Sequence, residues 1–265
     1  NITLINSYFE AISGFTSTGF TIFENVKQLD KGLILWRSTS QWIGGIYFLF
    51  SILLLIDIFD KNLKQSFTEY LSFNYNEIFK QSFKIITIYS LLTLFIFILF
   101  KAINLRTFDA FNLSLSIISS GGFLPVNRID YLFDSDFSKI VLSITMLLSF
   151  FSLFLIFNLI FYSKKKINFL SEDFNLLIYL LIVTSFSFVF LNSNNNFPSI
   201  FVAISSSVSN IGISFLDTPS NLIFIFLIMV VIGGSFFSTS SGIRVIKILS
   251  LIKFSLNNLL SHTKP

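Results

Sequence analysis

The sequence predicts an all-α polytopic membrane protein assembled from repeated helix–pore loop–helix units. Three observations predict it: an apolar composition, five apolar segments long enough to span a bilayer, and a short motif that occurs three times between them. Of the 265 residues, 53% are hydrophobic and 12% are charged, with a mean hydropathy of +0.79. A soluble domain carries about a quarter charged residues, so the expected solvent is the bilayer.

A transmembrane helix needs about 20 predominantly apolar residues. Five segments meet that length: Leu33 to Phe59, Ser82 to Lys101, Phe137 to Tyr162, Phe174 to Leu191 and Asn221 to about Leu251. The N-terminal stretch lacks the basic head, apolar middle and small-residue cleavage site of a signal peptide, so nothing there reads as removable. Of the 18 Lys and Arg residues, 11 fall in three groups: Lys61, Lys64, Lys80 and Lys84; Lys164, Lys165 and Lys166; and Arg244, Lys247, Lys253 and Lys264. The positive-inside rule makes these groups cytoplasmic. The five helices then alternate without conflict, and residues 1–32, 104–136 and 192–220 lie outside. The middle stretch sets Asp109, Asp130, Asp134 and Asp136 against Arg106 and Arg128. An acidic vestibule there would concentrate cations; plain solvation of loop acids is the simpler account.

Other chemistry is excluded by what is absent. With no Cys and a single His, His262, neither a disulfide nor a thiolate- or His-based metal centre is available. The formal charge of +4 is a weak signal, and no nucleic-acid partner is expected. The 37 Phe residues read as lipid-facing filler. The run Asn192-Ser193-Asn194-Asn195-Asn196 ends at Phe197-Pro198, which marks a loop followed by a helix with Pro in its first turn.

Each external stretch holds a short apolar helix leading into a Ser/Thr/Gly cluster: YFEAISGFTSTGF from Tyr8, FNLSLSIISSGGF from Phe111 and FVAISSSVSNIGI from Phe201. They align without gaps on Gly19, Gly122 and Gly212. Six residues before the glycine stand Ser13, Ser116 and Ser206; three before, Thr16, Ser119 and Ser209; two before, Ser17, Ser120 and Asn210. Phe20, Phe123 and Ile213 follow it. At roughly 10 to 13 residues, these helices are too short to cross a hydrocarbon core of about 30 Å. They are also too apolar for water. A helix that descends partway and returns as extended chain satisfies both constraints, provided the non-helical backbone is buried in protein or lines a watery cavity.

Such a lining suits a monovalent cation. Dehydration demands oxygen ligands, and successive carbonyls can face one axis only if some residue adopts angles that a Cβ opposes, which glycine allows. Small neighbours let loops approach closely, and hydroxyls tie the loop down or add ligands. The carbonyl filter of potassium channels is the general precedent. One central glycine per loop, rather than two, predicts a shorter filter.

The same segments resemble a known family. SYFEAISGFTSTGFTIF with LWRSTSQWIGGI is similar to the first pore loop and following helix of the Trk/Ktr/HKT superfamily of potassium transporters, in particular its TrkH-type membrane subunit. DAFNLSLSIISSGGF resembles its second loop. VIGGSFFSTSSGIRVIKIL resembles its GG-x-x-GST-x-GGIK-x-x-R pattern.

The resemblance implies a potassium-channel-like fold of four units around one pore, with potassium as substrate. The ion-binding filter residues would be Thr16, Ser17, Thr18 and Gly19; Ser119, Ser120, Gly121 and Gly122; and Ser209, Asn210, Ile211 and Gly212. Gly233, Gly234, Ser235, Ser238, Thr239, Ser240, Ser241, Gly242 and Arg244 would form a gating loop beneath the filter. Independently of any family, these Gly and Ser residues interrupt a membrane-length apolar helix, where they are destabilising; a close helix crossing is the alternative. The family's Gly-Gly-Ile-Lys is Ser241-Gly242-Ile243-Arg244 here, its later Arg is Lys247, and Asn210-Ile211 replaces more usual hydroxyls, which bears on potassium over sodium preference.

The resemblance also implies a homodimer in membrane lipid of the bacterial inner membrane, and a cytoplasmic nucleotide-binding subunit of the TrkA or KtrA kind. No cofactor is expected on this chain, which has no G-x-G-x-x-G motif or P-loop. Unit one occupies residues 1–62, unit two 63–168 and unit three 169–260, with 261–265 opening a linker towards a fourth unit. Three of four filter segments are expected here, as in a fragment of a longer protein.

Several residues invite other readings. Arg37, beside Trp36 and near Gln41 and Trp42, suits interfacial anchoring at least as well as an intramembrane role. Gly44-Gly45 suits close packing, and Asp57 and Asp60 suit interfacial charges beside Lys61 and Lys64. Glu10 on the first pore helix has no acidic counterpart in the other loops, yet a buried carboxylate there would tune the field. A secondary transporter with broken helices, or a membrane-embedded lipid-modifying enzyme, remain the competing functions. The first calls for loops entering from opposite faces, the second for clustered acids or metal ligands.

Overall fold

The structure, a computed structural model, describes residues 2–59, 78–153, 155–156, 171–189, 197–215 and 222–263. Three short helices are each followed by a glycine-bearing extended segment and then by a further helix, of 29, 13 and 9 residues in the three units. Helix α1 (Leu4–Phe15) starts at Thr3, whose hydroxyl accepts from the Asn6 amide at 3.3 Å. Its chain returns through residues 16–25 and a 3-10 turn (Val26–Gln28) to α2 (Lys31–Phe59). The second unit runs through α3 (Ile78–Ala102), α4 (Thr107–Ile118) and α5 (Asp136–Leu148), with Ser135 capping α5 by accepting from the Ser138 amide. The third comprises α6 (Ser171–Val189), α7 (Phe197–Ser209), α8 (Ile223–Val231) and α9 (Val245–Thr263).

Among the described residues, one helix, Ser82–Ala102, is both long and apolar enough to cross a membrane. Of the other expected spans, α2 has the length, at 29 residues, but turns Arg37, Ser38, Ser40 and Gln41 inward over its first half. The third span, expected as continuous from Phe137 to Tyr162, has its described helix end at Leu148. A turn at 149–152 follows, and helical residues resume at Leu153. The fifth breaks after Val231 into a loop whose two ends pair as short parallel strands, β1 (Ile232–Gly233) and β2 (Ile243–Arg244), before α9 begins. The unit boundaries near 62 and 168, Asp60, Lys61, Lys64, the 164–166 triplet, the 192–196 run and Lys264 lie outside the described residues. The expected boundary at 260 falls within α9, which runs to Thr263.

One apolar core joins α2, α3, α4 and α5 through Leu49, Tyr89, Leu92, Ile96, Phe100, Leu113, Ile117 and Met146, all fully buried. A second lies between α6, α7 and α8 around Phe150, Leu176, Ile200, Ile204 and Val208. Outward faces remain apolar, with Phe83, Leu94, Ile98, Phe174 and Ile182 exposed. Lipid is as apolar as leucine, so small residues that let backbones touch do more to join such helices than burial does. Gly44 supplies one approach: a Cβ there would collide with the Phe15 carbonyl, at the end of α1. At Gly45 it would strike the Tyr89 hydroxyl and Ser119. Both glycines are packing positions, and they seat two short helices against α2.

Candidate ion pathway

Each short helix ends in the same way. The residue two before the glycine takes a left-handed conformation: φ is 52° at Ser17, 53° at Ser120 and 59° at Asn210. Its amide donates to the carbonyl three residues back, at Gly14, Ile117 and Ser207 respectively. The next amide, at Thr18, Gly121 or Ile211, donates five residues back to Ser13, Ser116 or Ser206. This pair of bonds is a Schellman stop, which usually has glycine at the left-handed position. Here Ser, Ser and Asn stand there, and the glycine comes two residues later. Gly19, Gly122 and Gly212 have φ of 80°, 78° and 78°, a region that side chains disfavour.

The hydroxyls three before the glycine share a role as well. Thr16, Ser119 and Ser209 donate to carbonyls four residues back, at Ile12, Leu115 and Ser205, over 2.7, 2.9 and 2.6 Å. They tie the loop to its own helix. Thr18 reaches the Thr16 hydroxyl at 2.7 Å.

The three loops sit side by side in chain order. A Cβ on Gly19 would collide with the Gly121 carbonyl, and one on Gly122 with the Ile211 carbonyl, whereas one on Gly212 would meet nothing within 4 Å. Loop two is accordingly the most buried, with Ser119, Ser120 and Gly121 enclosed, while Thr16 and Thr18 are exposed on one flank and Gly212 on the other. The sequence-predicted filter residues therefore converge in one place, as three neighbours of an arc with an open side.

A polar network holds the arc from behind. Arg37 is 1% exposed; its Nε donates to Glu10 Oε1 at 2.7 Å, and a second nitrogen donates to the Thr21 hydroxyl at 2.9 Å. Glu10 also accepts from the Thr21 hydroxyl and the Ile22 amide, both just past Gly19. The guanidinium carbon stands 4.1 Å from the centre of the Phe123 ring, in loop two. Interfacial anchoring of Arg37 is thus overturned: the side chain points into the protein. One turn on, the fully buried Gln41 donates from Nε2 to the Gly121 carbonyl at 2.6 Å and accepts from the Phe123 amide at 3.3 Å. Its own carbonyl accepts from the Ser17 hydroxyl at 3.3 Å.

Loops one and three instead use the serine six before their glycine. Ser13 donates to the Phe20 carbonyl at 2.6 Å, and Ser206 accepts from the Ile213 amide at 2.7 Å. Ser116 makes no such bond, because Gln41 has taken its partner.

The interrupted segment between α8 and α9 packs against loops two and three. Thr239 donates to the Ile118 carbonyl at 2.7 Å, at the end of α4, and its hydroxyl lies 3.3 Å from that of Ser120. Asn210 Nδ2 donates to the Ser241 carbonyl at 3.1 Å. The segment also docks into the α5 break: Ser235 and Ser240 amides donate to the carbonyls of Phe150 and Ser149, and Leu153 donates to Phe237. Internally, Gly234 donates to the Ser240 hydroxyl, Ser238 to the Ser235 carbonyl, and Arg244 to Ser238 and the Ser240 carbonyl at 3.1 and 2.7 Å. Gly233 lies against Ser241 too closely for any side chain, and Gly242 has a φ of 90°. Between this segment, α2 and the first two loops lies a cavity of about 360 Å³ lined by Thr16, Ser17, Gly45, Ser119, Ser120 and Thr239.

Sequence reasoning missed the α5 break and the role of Gln41. Signals for both existed: Ser-Phe-Phe-Ser occurs twice, at 149–152 and 235–238, once in each interrupted helix, and Arg37 and Gln41 stand four apart on one face. Of the four vestibule acids, Asp109 and Asp130 lie 3.6 and 3.2 Å from Arg106 and Arg128, so the acidic surplus of the stretch rests on Asp134 and Asp136, which are exposed.

Short helices, left-handed reversals and glycine strands recurring around one locus, set among apolar-faced helices, define a helical membrane protein built by repetition. No protein-family model matches the chain. Its homologues are nonetheless Trk system potassium uptake proteins: TrkG of Escherichia coli is 29% identical across the whole chain and 58% of its own length, and TrkH of the same organism 25% identical across 96% and 56%. An uncharacterized cation transporter of Methanocaldococcus jannaschii is 29% identical over 94% of this chain and 52% of its own. The fold matches the crystal structure of the potassium transporter TrkH from Vibrio parahaemolyticus with a TM-score of 0.83 at 24% identity, covering 100% of this chain and 58% of that one. The chain spans between half and three fifths of the length of these three curated relatives.

Proposed function

We propose that this chain supplies three filter strands and a gating loop to a potassium uptake pathway in the bacterial inner membrane, with five spanning helices and three re-entrant loops. The carrying observation is the threefold repetition at one locus: a left-handed Ser, Ser or Asn, then a left-handed glycine, with each of the first two glycines against the next loop's carbonyl. Backbone oxygens brought together by side-chain-free contacts are the kind of ligand a dehydrated alkali cation requires. The names of the relatives favour potassium over other cargo, and transport over the lipid-modifying alternative. The hydroxyls of Thr16, Ser119 and Ser209 hold each strand to its own helix by donating their protons, which leaves lone pairs on the hydroxyl oxygens for a cation.

The open flank of Gly212 is where a fourth strand would complete the filter, contributed by a longer protein or another chain. The segment 232–244, joined to the ends of two pore helices through Thr239 and Asn210, is the gate. A TrkA- or KtrA-like cytoplasmic subunit acts on it, and the transporter works as a homodimer. The deciding experiment expresses the full-length protein carrying this sequence in a potassium-uptake-deficient bacterium at low potassium. Growth is expected, and Gly122→Ser is expected to weaken the preference for potassium over sodium; unchanged selectivity in that variant would sink the filter assignment.

A further inference from the structure

We propose that Arg37 and Gln41 form a clamp on α2 that fixes the spacing between the first two filter strands and thereby tunes which alkali cation is preferred. The two are positioning residues; the inference rests on the filter reading above.

Four observations converge on this pair. Both side chains are buried, 1% and 0% exposed, one helical turn apart on the same face of α2. Arg37 serves strand one: with Glu10 it holds Thr21 and Ile22, the residues that carry the chain away from Gly19. Gln41 serves strand two, bonding the Gly121 carbonyl and the Phe123 amide on either side of Gly122. The two halves are then tied together, because the Arg37 guanidinium lies on the Phe123 ring, while the backbone carbonyl of Gln41, which side-chain substitution leaves in place, takes the Ser17 hydroxyl. Each residue thus touches both strands.

Space leaves little slack. A Cβ at Gly121 would overlap the Gln41 amide, and one at Gly19 would overlap the Gly121 carbonyl, so Gln41, strand two and strand one are in contact in series. A shift of the amide is transmitted to a filter carbonyl. Discrimination between alkali cations depends on the number and field of such oxygens and on the size of their cage. A donor on the Gly121 carbonyl lowers its share of that field and fixes its direction. The ion pair with Glu10 leaves the Arg37 charge compensated, so the clamp holds position without placing an unbalanced cation behind a cation pathway.

The test measures the ratio of rubidium to sodium uptake by the full-length protein, with its amount in the membrane quantified, in four variants beside the parent. Gly122→Ala reports on the filter itself. Gln41→Met keeps the volume behind Gly121 but removes the donor and acceptor. Arg37→Lys keeps the charge but loses the fork and the flat contact with Phe123. Thr39→Ala, a half-buried site between them whose hydroxyl bonds its own helix, is the control. A fall of about fivefold in the ratio, of the size one lost hydrogen bond produces, is expected in Gln41→Met and Arg37→Lys, with Thr39→Ala at the parent value.

A parent-like ratio in Gln41→Met and Arg37→Lys, alongside a shifted Gly122→Ala, overturns the clamp and leaves the filter reading standing. If Gly122→Ala leaves the ratio unchanged, the filter reading fails and the clamp fails with it. Should Gln41→Met not reach the membrane, Gln41→Asn, which retains the amide but shortens its reach, carries the same expectation and the same refutation.

Discussion

The seam between loops one and two and the seam between loops two and three share one backbone pattern but are secured differently. The first is held by charged and amide side chains of a continuous helix, α2: Arg37 with Glu10, and Gln41 with Gly121 and Phe123. The second has Gly122 against the Ile211 carbonyl, and below it the segment 232–244, which reaches strand two through Thr239 and strand three through Asn210. A buried ion pair resists loss of either member strongly, because what remains is an uncompensated charge. Hydroxyl and amide links to an interrupted helix are individually weak and can exchange. On the proposed function, the difference would separate a fixed side of the pathway from a side that responds to the gate.

That contrast can be broken by substitution. The largest effect is expected from Arg37→Met, which strands Glu10 and lowers stability by about 3 to 5 kcal/mol; thermal unfolding of the purified protein reads it, and Glu10→Gln with Arg37→Gln should cost less than either single change. Next comes Gly122→Ala. Its left-handed φ adds about 1 to 3 kcal/mol of strain, and the collision with Ile211 raises this further. Gly212→Ala, at the same φ but with open space around it, should show the strain alone, roughly 1 to 2 kcal/mol. Equal losses at the two glycines would mean that a partner strand fills the flank of Gly212 in the assembled protein.

A smaller change is expected from Thr239→Val, which leaves the Ile118 carbonyl without its donor at a cost of about 1 to 3 kcal/mol. Its effect should fall on open probability in single-channel or flux recordings, with the ion preference retained. An altered preference with normal opening would erase the division between the two seams. Smallest is Ser17→Gly. It relieves a left-handed serine and gives up a 3.3 Å bond to Gln41, so a net change within about 1 kcal/mol is expected, read by the same unfolding measurement.

Much of this was legible from spacing. Gapless alignment on Gly19, Gly122 and Gly212 located three positions with almost identical φ, because the geometry of a reversal depends on residues a few positions apart. The interruption between Gly233 and Gly242 was legible for the same reason, since Gly and Ser oppose a helix locally. The Glu10–Arg37 pair was not, since its members are 27 residues apart: Arg37 alone suits an interfacial anchor, and Glu10 alone reads as a carboxylate near the filter with no partner named. Nor was the end of α5 at Leu148: Ser149-Phe150-Phe151-Ser152 is apolar enough to continue a helix, and what stabilises the break is a segment about 90 residues downstream, through Thr239 and Ser149. The left-handed position was also displaced from expectation. Glycine is the residue that advertises it, yet Ser and Asn occupy the first of the two reversals.

The helix stops at Ser17, Ser120 and Asn210 close through bonds spanning three to five residues, whereas Gln41 meets Gly121 across 80 residues and Ser120 meets Thr239 across 119. Local bonds need little chain to be present, and distant ones must wait for loop closure. Biogenesis therefore has an order written into it. Each short helix with its reversal can take shape as its own stretch emerges from the ribosome, α2 can lock the first pair once the second has been made, and the interrupted segment follows all three. The segment 232–244 can therefore settle against loops two and three only after both have formed.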